Sequence, residues 1–452
     1  MKRLFLFTCL ALSFQSLVAQ TNPAITKWLQ NTTGITGRHY VAGNSTPIVD
    51  AVLANVQSVK YDANWVYVAA TGIPAYITGP FQDGNPSLAT AQNKIFKISL
   101  NPTHNTGAPT ATTGGNIGIF KNGVALFDYR DGVAWSATTN ALCGGPGNPA
   151  CAGGPGTTQA WNRDAIPAEK AGFDCAKAHP AMGNYHHHQN PSAFNLDLTV
   201  LSNVCDTYPA DGLYVINPSE HSPLLGYAYD GFPIYGAYAF TNTDGTGAIA
   251  RMKSSYQLRT NTTRTNGPAV NATYFNGYFR EDYEYVAHDG DPTYLDEHNG
   301  RICNTPEYPV SSYPNGIYCY FTTVDANHNS AYPYVVGPTF YGNKTATTVT
   351  TVPAGTTTYT PALAINSFDR LNFKVVIAPN PAQDFIAIQS QATDHDLKIE
   401  LIDELGKIIK TDTLLQGSTL SVIETDGVYN GTYFVKIADG ANSKAYKVII
   451  NK

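Results

Sequence analysis

Charge is scarce in this 452-residue chain: Asp, Glu, Lys and Arg make up 14% of it, against roughly 25% in an ordinary globular protein. Methionine is scarcer still, at 3 residues. Helical proteins lean on Leu, Glu, Lys and Met, so both shortages argue against a helical fold and a coiled coil. Basic residues fall short of acidic ones, 28 to 34, for a formal net charge of −6. Nucleic-acid binders need a basic footprint, and this chain has none. Beyond its first twenty residues no run is apolar enough to span a bilayer, which takes about 18 or more residues. The familiar catalytic signatures are missing too: there is no G-x-S-x-G, no H-E-x-x-H and no Gly-rich phosphate loop. No C-x-x-C pair exists to begin a thiolate metal site.

What is abundant is Gly (39), Pro (28) and Tyr (29). That profile fits a mainly β, turn-rich protein whose surface is made polar by Thr, Asn, Ser and Tyr. Residues 1–19 read as a secretory signal. Lys2 and Arg3 begin it, Leu4 to Leu12 is apolar except for Thr8, and Ala19 offers the small residue at a cleavage point. Export makes disulfides the expected state of the six remaining cysteines. Sequence neighbours suggest Cys143–Cys151, Cys175–Cys205 and Cys303–Cys319. The mature protein is expected to be soluble, with no membrane span.

From Phe373 to Lys452, about seven short alternating segments separated by turn signals such as Gly406, Asp426-Gly427 and Asp439-Gly440 predict a small Ig-like β-sandwich. Its wording resembles the type A sorting domain of the type IX secretion system of Bacteroidota. The matching residues are Ala378-Pro379-Asn380-Pro381, Glu404-Leu405-Gly406-Lys407, Gly431-Thr432-Tyr433-Phe434-Val435-Lys436 and the terminal Lys452. The resemblance implies the type IX machinery as partner and a secreted or outer-surface location. Thr345–Thr360, rich in Thr, reads as part of an extended linker over 343–372. The working domain is then residues 20–342.

Within it, Gly115–Val124 looks like a hairpin turning at Asn122-Gly123. Only Trp161–Ala178 has room for a helix, and Pro167 limits it to a short one. The informative stretch is Tyr185-His186-His187-His188. Alternation along a strand points His186 and His188 one way, and Tyr185 and His187 the other. Two imidazoles on one face suit a single divalent metal ion, Zn or Cu. Asp230, in Leu224–Gly236, sits among large apolar residues, where a carboxylate needs a partner or a cation. It equally reads as a turn residue. Glu297, in Asp296-Glu297-His298, and His221, before Ser222-Pro223, are further candidate ligands. The acidic run Glu281–Asp291 with His288 reads as a solvated loop or a weak Ca²⁺ site. His39, His104, His328 and His395 read as surface residues.

These segments together resemble the YHYH domain family. The carried residues are Thr71-Gly72-Ile73-Pro74, Gly123-Val124, Tyr185–His188, Ser222–Gly226, Asp230-Gly231-Phe232-Pro233-Ile234-Tyr235-Gly236, Leu295–Arg301 and Tyr332-Pro333-Tyr334. The family's second Tyr is His187 here, which leaves the His186/His188 pair intact. The resemblance brings no settled reaction. Three readings of function therefore stand side by side, with enzyme status open. One is a His-based metal site acting on an extracellular substrate, with no organic cofactor. Another is a non-catalytic module binding a glycan or other polymer. The last is a metal-free Tyr/His polysaccharide lyase, for which no cation to neutralise a uronate is evident.

Overall fold

The computed structural model describes residues 22–81, 88–153, 159–191, 204–208, 212–260, 262–361, 375–390, 392–393, 395–403, 406–439 and 442–452. The expected signal, residues 1–19, lies outside them. The chain forms two compact units, one ending at Tyr359 and the other beginning at Thr360. No helix among the described residues is long and apolar enough to cross a membrane.

The first unit is built around an eight-stranded mixed sheet. Its spatial order is His179–Ala181, Asn184–His187, Ala125–Phe127, Asn116–Phe120, Leu224–Ala228, Pro233–Tyr235, Ile317–Phe321 and Gly300–Cys303. The expected turn at Asn122-Gly123 is there: Gly123 adopts φ 84° and its N–H donates to Phe120 O at 2.8 Å. Only Gly takes such a φ without cost. Leu224–Ala228 and Pro233–Tyr235 are buried throughout, as strands covered on both faces must be. Tyrosines fill much of this core, and their hydroxyls find partners, as buried tyrosines require. Tyr334 donates to Asp164 at 2.7 Å, Tyr320 to Asp230 at 2.6 Å, and Tyr235 lies 2.7 Å from Thr305 Oγ1.

Two sequence expectations change here. The Thr-rich stretch is not an extended linker. Thr347–Val349 pairs with Lys94–Ser99 and Thr357–Tyr359 with Val56–Tyr61, so it supplies both edges of a five-stranded antiparallel sheet. Thr suits a strand with one wet face, and edge strands need little apolar content. The cysteines differ as well. Cys143–Cys151 and Cys175–Cys205 are bonded, whereas Cys303 and Cys319 are buried free thiols. Across their antiparallel pair Cys303 faces Ile317 and Cys319 faces Arg301. The two are thus diagonal neighbours on one face of the pair, and their thiols interact directly without being bonded.

The second unit is the expected seven-stranded sandwich. Val375–Ala378, Phe385–Ser390 and Leu420–Glu424 form one sheet; Ile408–Leu414, Leu397–Asp403, Gly431–Asp439 and Asn442–Ile450 form the other. One core holds Ile386 and Ile388 from the first sheet with Ile399, Leu401, Val435 and Ile437 from the second.

Candidate metal centre

The site is a hairpin at one edge of the eight-stranded sheet. Strands His179–Ala181 and Asn184–His187 pair with Ala181 opposite Asn184 and His179 opposite His186. The two-residue turn between them, Met182-Gly183, has positive φ at both positions, 49° and 83°, the backbone of a type I′ turn. Facing residues share a side of the sheet, and so do residues two apart. His179, His186 and His188 are thereby gathered on one face, with their ligand-competent nitrogens all within 4.8 Å of one another. His186 Nε2 lies 3.0 Å from His188 Nε2. Glu169 closes the group from the short helix Ala165–Glu169, its Oε2 3.3 Å from His179 Nε2 and 3.4 Å from His188 Nε2.

The tautomers are pinned. His186 Nδ1 sits 2.8 Å from Asn184 O, and His188 Nδ1 sits 2.6 Å from Asp128 O. A backbone carbonyl only accepts, so both Nδ1 atoms carry protons. In neutral rings each Nε2 is then a bare lone pair, and the two face each other at 3.0 Å. Such a contact needs a cation between the nitrogens, either a proton or a metal ion. Backbone carbonyls behind the Nδ1 atoms are also the usual outer partners of metal-ligating histidines. A tetrahedral centre with ~2.0–2.1 Å bonds sets its ligand atoms ~3.3 Å apart, close to three of the distances here.

Burial fixes the electrostatics. It is the main reason the pKa of His186 falls well below the ordinary range, reinforced by the charges His188 and His179 would carry; a neutral ring is what ligation needs. Burial alone would raise the Glu169 carboxyl, but His179 and His188 outweigh it and hold the group well below the carboxylate range. Its Oε2 meets the two imidazoles at 3.3 and 3.4 Å and has no closer donor among the described residues. Rings wall the cluster: Phe127 stacks on His186 at 3.8 Å and Phe173 meets His179 edge-on at 4.9 Å. The Asp128 carboxylate, gripped by Arg130 Nε at 2.6 Å, holds the segment whose carbonyl orients His188.

His187 points the other way, as alternation requires. Tyr76 hydroxyl lies 2.7 Å from its Nε2, and burial lowers its pKa to about 3. Beside it Tyr185 donates to the buried Asp174 at 2.8 Å. This face is a packed network, and His187 fills the place of the family's second tyrosine within it.

The other expected ligands lie outside the cluster. Asp230 is the turn residue of its segment, taking Tyr320 hydroxyl at 2.6 Å, Gly342 N–H at 2.8 Å and Phe232 N–H at 3.3 Å. Those donors satisfy the carboxylate that its apolar setting had suggested for a metal. The Glu297 side chain is 56% exposed and lies 3.8 Å from His298 Nε2. The His221 Nδ1 is engaged by Ser222 O at 2.7 Å. All four histidines read as surface residues also have partners: His39 with Asp50, His328 with Tyr238, His395 with Asp439, and His104 stacked on Tyr341. Sequence reasoning missed His179 and Glu169. A two-residue turn at Met182-Gly183 and a count of three outward would have set His179 opposite His186. No local pattern marks Glu169.

Residues 95–333, more than half of the chain, match the YHYH protein family. The chain belongs to that family. Residues 376–451 match the secretion system C-terminal sorting domain, which marks the YHYH domain for export to the cell surface or secretion through the type IX system. No curated protein matches the chain. One similar solved structure is PorZ, described as an essential bacterial surface component of the type-IX secretion system of Porphyromonas gingivalis. It is 11% identical over 92% of this chain and 65% of that one, with a TM-score of 0.16. A likeness that low carries no argument.

Proposed function

We propose that this exported YHYH protein binds a divalent transition metal ion, Zn²⁺ or Cu²⁺, through His179, His186 and His188, with Glu169 as the fourth ligand. The observation that carries the reading is the pair of Nε2 atoms 3.0 Å apart, both aimed by carbonyls behind them. Three imidazoles and one carboxylate suit these metals. Four protein ligands make a closed centre, the arrangement that stabilises a fold and retains its metal. A hydrolytic reading stands second and rests on Glu169, whose side chain is 24% exposed while the imidazoles are 8% or less. Leaving the metal, this carboxylate would open a position for water and serve as its general base.

The test is elemental analysis of the exported protein, carrying no affinity tag, beside a His186→Ala/His188→Ala variant. One equivalent of metal in the wild type, lost in a variant that still folds, supports the site. No metal after reloading with Zn²⁺ and with Cu²⁺ overturns it and leaves a shared proton as the cation. In a Co²⁺-loaded sample, azide should leave the visible spectrum unchanged if the centre is closed; a shift would favour the hydrolytic reading.

A further inference from the structure

A cleft of about 600 Å³ opens beside the last strand of the eight-stranded sheet, Gly300–Cys303. That volume lies in the range of small-ligand sites, ~300–1,000 Å³, and none of the metal-centre residues lines it. Tyr285 and Ile302 give it apolar surface, 38% and 50% exposed. Tyr285 meets Tyr256 at 5.6 Å, and no ring among the described residues stacks on it. Its face is open to a flat apolar partner.

The polar side is organised in advance. Asp296 lines the cleft, and Tyr318 hydroxyl, Gly300 N–H and His298 N–H all converge on its Oδ1, at 2.7, 3.1 and 2.9 Å. Oδ2 is left to accept from a ligand, on a carboxylate that cannot rotate away. The cleft's cation is committed elsewhere, since the Arg301 guanidinium donates to the carbonyls of Pro292, Phe240 and Thr241. Asp291 is met by Lys253 at 3.3 Å. Neither Asp289 nor Asp296 forms an ion pair with a Lys or Arg among the described residues, so the lining disfavours anions and suits a neutral molecule.

We infer that this cleft binds a neutral polysaccharide, one pyranose lying on Tyr285 and its hydroxyls donating to Asp296. A pyranose offers what the walls require, a C–H face for the ring and hydroxyl donors for a fixed acceptor. An exported protein meets such polymers outside the cell. The inference does not depend on the metal.

The test is native electrophoresis of the full exported protein through gels containing laminarin, xylan, dextran or mannan, with alginate and chitosan as charged probes. Retardation by at least one neutral polymer is expected, unaffected by EDTA. Tyr285→Ala should weaken it about tenfold. Ile302→Arg, at a half-exposed position of the edge strand, should do the same and serves if the first variant fails to fold. No retardation by any neutral polymer overturns the inference. So does retardation equal in wild type and both variants, or by alginate or chitosan alone.

Discussion

Removing His179 separates the metal from the fold. The residue is 6% exposed, set edge-on to Phe173 and tilted over His186 at 4.7 Å. His179→Ala deletes one of four ligands while the opposed lone pairs of His186 and His188 remain. A metal present at ~1,000 times its Kd stabilises the folded state by ~4 kcal/mol. The first unit has ~310 described positions, for which ~2.1 cal/mol/K per residue gives an unfolding entropy of ~0.7 kcal/mol/K. The two together predict that EDTA lowers the wild-type Tm by ~6 °C. In His179→Ala, affinity should fall by at least ~100-fold, removing ~2.7 kcal/mol of that effect, so EDTA should shift the variant by ~2 °C or less. Differential scanning calorimetry with and without EDTA reads both numbers. A wild-type Tm that ignores EDTA, or a variant that responds as fully as wild type, refutes the reasoning.

Other outcomes follow from the same structure. Burial pushes Asp164 up to about 8 and Asp174 up to about 7, from an ordinary 3.8. Acids whose folded pKa is raised contribute stability that is full below about pH 4 and is lost as pH climbs to about 8. Asp164→Asn keeps the cap on Ile166 N–H and should flatten the fall in Tm between pH 5 and 8; an unchanged slope counts against it. Ending the chain at residue 342 rather than 361 strips both edge strands of the five-stranded sheet and should cost ~3 kcal/mol or more, at ~1 kcal/mol per net hydrogen bond. Equal urea midpoints for the two truncations would return the Thr-rich stretch to the status of linker. Maleimide should label no thiol in the native protein and two, Cys303 and Cys319, in denaturant; none in denaturant would mean a third disulfide.

Much of this was legible in advance because it is local. The seven segments of the sorting domain alternate with period 2 and are separated by turns, so their strands could be read directly. The His186/His188 pair follows from the same alternation. What failed was long-range. Glu169 reaches the cluster from the end of a separate short helix, across to a hairpin whose tip is Met182. Asp230 looked like a ligand because burial was visible and Tyr320, 90 positions away, was not. The strands Thr347–Val349 and Thr357–Tyr359 were hidden by low hydrophobicity, for edge strands need pairing more than apolar content. Six exported cysteines suggested three disulfides, yet the last two, offset by two residues in register, are neighbouring free thiols.

An anomalous-difference map of crystals grown with Zn²⁺ or Cu²⁺, collected at the metal's absorption edge, tests the central claim most directly. One peak is expected ~2.0–2.1 Å from the Nε2 atoms of His186 and His188, bonded also to His179 and Glu169. A peak elsewhere, or none while the two Nε2 atoms stay 3.0 Å apart, would contradict it and assign their contact to a proton.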